Sequence, residues 1–141
     1  MRSLRYVFLF VDIGFIAYWL ITAFHLIPAE FVYSDYTNPI LVNWNWSFFP
    51  LDILVSATGL YSVWLSGRND ARWKSFALIS LVLTSTSGLQ AISYWVLAGE
   101  FDPTWWIPNV FLLVYPLFYI PRLIETSNTH GFTSGFPRPR E

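Results

Sequence analysis

Four long apolar runs, separated by short polar stretches, organise this chain. They cover residues 6–27, 46–66, 75–98 and 105–124. A membrane-crossing helix needs about 20 mainly apolar residues to traverse about 30 Å of hydrocarbon, and each run meets that length. Within two of them the polar positions recur on one helical face. The second run carries Asp52, Ser56, Gly59 and Ser66, with Ser62 close by; the third carries Ser80, Thr84, Ser87, Gln90 and Tyr94. Steps of three and four residues keep side chains on one side of a helix. Small and hydroxylated residues let helices in lipid approach and hydrogen-bond to each other. The second and third spans are therefore predicted to meet along these stripes. Short connections make consecutive spans antiparallel neighbours. The predicted fold is all-α, an integral membrane four-helix bundle over residues 1–124, followed by a disordered tail at 125–141 rich in Ser, Thr, Gly and Pro.

The breaks between runs carry their own signals. Pro28 stops the first span, and residues 28–45 read as a loop on the bilayer interface, with Ser34-Asp35 and Asn38-Pro39 as turn formers. Gly67-Arg68-Asn69-Asp70 makes a short polar turn. Trp44, Trp46, Trp105 and Trp106 are predicted to form one interfacial aromatic belt, with Trp73 and Trp64 on the opposite side. Pro108 falls in the first turn of the fourth span, where its missing N–H matters little, and Pro116 lies deeper, where a kink is predicted. The first run follows Arg2 and Arg5 but contains Asp12 and lacks a small-x-small site before Pro28, so it reads as a span and not a signal peptide.

Charge supplies the orientation. Arg2 and Arg5 precede the first run, Arg68, Arg72 and Lys74 lie between the second and third, and Arg122, Arg138 and Arg140 follow the fourth. The remaining loops, 28–45 and 99–104, hold Glu30, Asp35, Glu100 and Asp102 and no basic residue. Positive charge in short loops tracks the cytoplasmic face, so both termini and the tail are predicted to be cytoplasmic. Charged residues make up only 12 % of the chain and hydrophobic ones 55 %, against about 25 % charged in soluble domains. The basic residues flank spans and form no dense patch, which argues against nucleic acid as a partner. With no cysteine, disulfides, thiol catalysis and cysteine-ligated metals are excluded.

Candidate chemistry lies in the polar residues inside the spans. A centrally placed Asp costs about 2.5–3.5 kcal/mol on insertion scales, so neither Asp12 nor Asp52 is expected to face lipid. At about 1.5 Å of rise per residue the two acids differ in depth by about 10 Å, which does not make a side-by-side dyad. Asp52, Gln90 and Asn109 fall at one level and are the candidate ligand-binding polar groups; Asp12 falls nearer the basic end, level with Tyr115 and Ser80. Trp19, Phe49, Tyr94 and Trp105 are the candidate walls of a pocket for an amphiphilic head group. His25 reads as an interfacial residue and His130 lies in the tail, so they are predicted not to share a metal. Neither a metal nor a cofactor is expected, and no HExxH, Walker A, GxSxG or CxxC pattern occurs.

Several strings are distinctive: Asp35-Tyr36-Thr37-Asn38-Pro39, Asn43-Trp44-Asn45-Trp46-Ser47-Phe48-Phe49-Pro50-Leu51-Asp52, Ser87-Gly88-Leu89-Gln90-Ala91, Trp105-Trp106-Ile107-Pro108-Asn109, Tyr115-Pro116-Leu117 and Ile120-Pro121. Through them residues 1–124 resemble the YvaD-like family, small four-span membrane proteins of Bacillus-type bacteria with no assigned activity. The resemblance implies a bacterial plasma membrane location and supplies no chemistry. In layout alone the chain is also similar to the emopamil-binding and sigma-2 receptor class, which holds sterol-like or cationic amphiphiles within the membrane. The His and Glu groups of that class's isomerase branch have no clear equivalents here. Three functions stay open: a binder of a small amphiphilic or lipid-like ligand, an accessory or assembly subunit (with a membrane-protein partner or a second copy), and a lipid- or sterol-type isomerase using Asp12 or Asp52.

Overall fold

The structure, a computed structural model, describes residues 2–28, 31 and 37–131, without the side chains of Arg2 and residues 126–131. The described residues are all-helical: α1 (Arg2–Ala23), α2 (Pro39–Ser47), α3 (Phe49–Gly67), α4 (Trp73–Ala98) and α5 (Pro103–Gly131). Four stretches are long and apolar enough to cross a membrane, Ser3–Ala23, Pro39–Gly67, Trp73–Ala98 and Pro103–Glu125. The second of these joins α2 and α3.

Helix α2 is a departure from the sequence reading, which placed residues 39–45 in a loop. Asn38 is its N-cap, accepting a hydrogen bond from the Ile40 N–H at 3.0 Å, and Pro39 occupies the first helical position. A short polar side chain at the cap satisfies an orphan N–H, and a proline just inside loses nothing there. What reads as a turn is a helix start. Helix α5 begins the same way: Asp102 accepts from the Thr104 N–H at 2.9 Å, directly before Pro103. The joint between α2 and α3 falls at Phe48, two residues before Pro50, which has no N–H to continue the ladder. The Phe48 N–H takes the Asn45 carbonyl instead, at 3.1 Å. At the other end of the chain α5 continues to Gly131, past Glu125, where the tail was expected to begin. Residues 132–141 lie outside the described part, as does Ser34-Asp35.

Helices α1, α3 and α4 end alike. Each is followed by a residue with positive φ, His25 (51°), Asn69 (56°) and Gly99 (69°). The next N–H reaches back five residues, Leu26 to Ile21, Asp70 to Leu65 and Glu100 to Trp95, at 3.1, 3.1 and 3.2 Å. This left-handed closure satisfies carbonyls that a helix end leaves bare.

Helix α3 packs against α1 on one side and α4 on the other, and α4 packs against α5. Toward the end that carries Arg5, Arg68 and Lys74 (the basic end), Leu4, Phe8, Val11, Ala77, Leu81, Tyr115 and Leu123 form the core. Toward the other end, Trp19, Phe48 and Ala91 form a second, aromatic cluster. The seam between α3 and α4 is polar, but the predicted α3 stripe only partly faces it: Ser56 and Gly59 meet Asp12 of α1, and Ser66 is exposed. Ser80 Oγ donates to the Val55 carbonyl at 3.2 Å and Ser62 Oγ to the Trp73 carbonyl at 2.9 Å. Gly88 brings α4 against α5, since a Cβ there would stand 2.6 Å from the Leu113 nitrogen and 2.7 Å from the Asn109 carbonyl oxygen. Helix α5 runs on through Pro116, and Ser85 Oγ donates to the nearby Leu113 carbonyl at 3.0 Å, the kind of side-chain support a membrane helix uses around a proline.

Candidate functional site

The aromatic end of the bundle encloses a cavity of about 210 Å³. Its walls come from α1 (Phe15, Tyr18, Trp19), the α2–α3 joint (Trp44, Phe48), α4 (Ala91, Trp95) and α5 (Trp105, Leu112). The polar groups at its surface are Asp52, Asn45, Ser87 and Asn109.

Asp52 is held from two directions. It lies in the first turn of α3 and is 4 % exposed. The Trp19 indole N–H donates to its Oδ2 at 3.0 Å, and Ser87 Oγ donates to Oδ1 at 3.2 Å. Trp19 is itself clamped by rings, with Tyr18 at 5.1 Å and Phe49 at 5.2 Å, both edge-on. Such edge contacts fix the indole plane, and so fix where its N–H points. Asn45 faces the same cavity from α2. Its Oδ1 accepts from the Tyr18 hydroxyl at 2.8 Å, while its buried Nδ2 has no partner. Asn109 spends its amide N–H on the Trp105 carbonyl, at 2.8 Å.

Of the residues read from the sequence as candidates, Asp52, Asn109, Trp19 and Trp105 line the cavity. Gln90, Phe49 and Tyr94 do not. Gln90 is exposed on the outer side of α4, because the buried stripe runs Ser80, Thr84, Ser87, Ala91, Trp95 and not through Gln90 and Tyr94. After Ser87 a step of three or of four keeps nearly the same face, and the stripe takes the step of four. Tyr94 stacks on the outer face of Trp44, with centroids 4.2 Å apart. Phe49 is 39 % exposed, and the adjacent Phe48 takes its place on the wall. Trp44, expected only in the interfacial belt, also lines the cavity, beside Trp105, which was expected both in the belt and as a wall. Asn45 was missed because residues 39–45 read as a loop; once α2 is a helix, Asn45 sits on a face that points at α1.

Asp12 lies apart from the cavity. It is fully buried against α3, with its carboxyl filling the notch left by Gly59, where any Cβ would collide with it. Gly59 follows Asp52 by two turns, about 10 Å of helical rise. The separation in depth read from the sequence is thus present. Ser56 Oγ donates to the Asp12 backbone carbonyl at 3.2 Å, but both carboxyl oxygens lack a hydrogen-bond partner. His25, φ 51°, serves as the left-handed closure of α1.

Four helical stretches long and apolar enough to cross a membrane, with a polar seam between α3 and α4 and an aromatic cavity at one end, are the build of a small helical membrane protein. Its sequence matches DUF5360, a family of unknown function, over residues 4–130, and the chain belongs to that family. It is 54 % identical over 125 residues to the uncharacterized protein YvaD of Bacillus subtilis (strain 168), covering 89 % of this chain and 94 % of that one. No solved structure matches it.

Proposed function

We propose that this protein binds a small amphiphile with a hydroxylated or cationic head group, placing the head against Asp52 and the apolar part among the aromatic walls. The observation that carries this reading is the pairing, in one cavity, of a buried acceptor and a buried unsatisfied donor, the Asp52 carboxyl and Asn45 Nδ2. A buried N–H left unpaired costs about 1–3 kcal/mol, which a ligand acceptor would recover. A hydroxyl offers both halves, donating to Asp52 and accepting from Asn45. At about 210 Å³ the cavity is below the roughly 300–1,000 Å³ of drug-sized sites, so it suits a head group with a short chain. Helices α1 and α5 both line the cavity, and their Tyr18 and Trp105 rings meet edge-on at 6.4 Å, so a ligand arriving from lipid would enter by parting these two rings.

The same reading orients the chain. Rising numbers on α1 meet falling numbers along α3 and α2, as in Asp12 with Ser56 and Tyr18 with Asn45, which supports antiparallel neighbours. The basic flanks support a bacterial plasma membrane location with both termini cytoplasmic, and hence a cavity toward the outside. The isomerase alternative is weaker, since Asp12 does not reach the cavity that Asp52 lines.

Native mass spectrometry of gently extracted protein tests the proposal. A discrete small-molecule adduct that is lost in Asp52→Asn and weakened in Asn45→Ala supports a binder. A bare chain sinks it. A stoichiometric second polypeptide or second copy in place of the adduct favours the assembly-subunit reading, and the polar seam is then helix glue.

A further inference from the structure

A second concavity lies at the basic end of the bundle, well away from the aromatic one. Ser66, on its wall, stands about four turns beyond Asp52 on α3, or about 20 Å of helical rise. It is a crevice of about 20 Å³ where the start of α1 (Arg5, Phe8), the end of α3 (Ser62, Ser66) and the start of α4 (Trp73) meet. That volume admits one oxygen-sized group. Ser62 Oγ donates to the Trp73 carbonyl at 2.9 Å and so ties α3 to α4 beside it.

The lining is one-sided in its chemistry. Arg5 brings a guanidinium, Ser66 a hydroxyl and Trp73 an indole N–H, and no carboxylate lines the crevice. Among the described residues, the side chains of Arg5, Ser66 and Trp73 donate to no partner, and Arg5 forms no ion pair. Asp70, the acid of the turn that leads from Ser66 to Trp73, is taken up by Arg72. The backbone leans the same way. Helices α1 and α4 both start at this end with no acid in the first turn, and a helix start favours a negative charge nearby. The last carbonyls of α3 are closed by the N–H groups of Arg68, Asn69 and Asp70, so they do not oppose an anion. Beyond Arg5, Tyr6, Phe10 and Ile13 are exposed on one face of α1, an apolar strip on which acyl chains can lie.

We propose that this crevice binds the phosphodiester of an anionic phospholipid. One non-bridging oxygen enters toward Ser66 and Trp73, and the other meets the Arg5 guanidinium, whose fork suits phosphate. The ammonium of a zwitterionic head group would find no carboxylate here, which selects lipids of net negative charge. The apolar strip on α1 selects a lipid over free phosphate. The site shares no residue with the aromatic cavity, so it stands or falls separately from the binding proposal.

Native mass spectrometry of the delipidated protein, titrated with phosphatidylglycerol or with phosphatidylethanolamine of the same chains, tests it. A single saturable phosphatidylglycerol adduct is expected, about tenfold weaker in Arg5→Gln and intact in Asp52→Asn. Arg68→Gln should leave it unchanged, because that guanidinium lies over the Trp64 ring and outside the crevice. Equal weakening in Arg5→Gln and Arg68→Gln, about fivefold per arginine as for diffuse attraction to a charged surface, overturns the proposal. Equal binding of the two lipids overturns it as well. Inorganic phosphate bound with the same dependence on Arg5, without a phosphatidylglycerol adduct, overturns the lipid as occupant. An adduct lost in Asp52→Asn belongs to the aromatic cavity and also overturns it. Should Arg5→Gln fail to accumulate, Ser66→Ala and Trp73→Phe decide, since each removes a donor and no charge. Weaker phosphatidylglycerol adducts in these variants uphold the site, and unchanged adducts in both overturn it.

Discussion

Two aspartates in this bundle share one side chain and almost the same burial, yet meet opposite neighbours. Asp52 receives an indole N–H and a hydroxyl; Asp12 receives nothing on its carboxyl. Trp19→Phe keeps a ring in place but removes a donor from a buried acid. It should destabilise the protein by about 1–3 kcal/mol, read as a lower melting midpoint in detergent, and should weaken any adduct held at Asp52. Gly59→Ala places a methyl group against the Asp12 carboxyl, with a cost of about 1–3 kcal/mol typical of overpacking. In an Asp12→Ala background the clash is gone and the penalty of Gly59→Ala should shrink, so the pair is expected to be non-additive. Additive melting shifts would show that the two do not touch in the membrane. At this scale the sequence reveals which residue types are out of place in lipid, and that led to Asp52 and Asn109, both at the cavity surface. It does not choose between a step of three and a step of four at the end of a stripe. Polarity favoured Gln90 and Tyr94; packing placed Ala91 and Trp95 on the buried face.

At the scale of elements, the spans follow from hydrophobic length, whereas their ends follow from caps that are easily mistaken for turns. Asn38-Pro39 and Asp102-Pro103 are the same device, a polar cap followed by a proline in the first turn, and reading one as a loop hid α2. Asn38→Ala should lower stability by about 1 kcal/mol, with the loss of protection in hydrogen exchange confined to the first turn of α2. The turn between α3 and α4 is held differently. Arg72 donates through its guanidinium to both Asp70 oxygens and through its backbone N–H to one of them. These contacts hold the Asp70 carboxyl down, from its ordinary 3.8 to about 2. The folded value is depressed, so the contribution of this pair is present above about pH 4 and is lost as pH falls through about 2. In an NMR titration Asp70 should move back toward 3.8 in Arg72→Gln. The pair is exposed to water, and rising salt should weaken it as well.

On the scale of the whole molecule, two gradients run along the bundle axis. Basic side chains gather at one end, where the Arg68 guanidinium lies 4.0 Å from the centre of the Trp64 ring; the aromatic cavity with its acid gathers toward the other. Composition and charge order were enough to place these ends, because the lipid solvent restricts where cations can sit far more strictly than it restricts which face of a helix packs inward. If the basic end is cytoplasmic, the cavity belongs to the outer half of the bilayer and Asp12 lies between it and the cytoplasm. The chain has no native cysteine, so single replacements report on sidedness without background. Ala71→Cys marks the basic turn and Glu100→Cys the opposite one, both at exposed positions. In intact cells stripped of their wall, a membrane-impermeant maleimide should label Glu100→Cys at once and Ala71→Cys only after permeabilisation. The reverse pattern would open the cavity toward the cytoplasm, and the head group seated at Asp52 would then be drawn from the inner leaflet. Labelling of both without permeabilisation would mean that the four helices do not cross the bilayer as a bundle, and the cavity would have to be read as part of a surface.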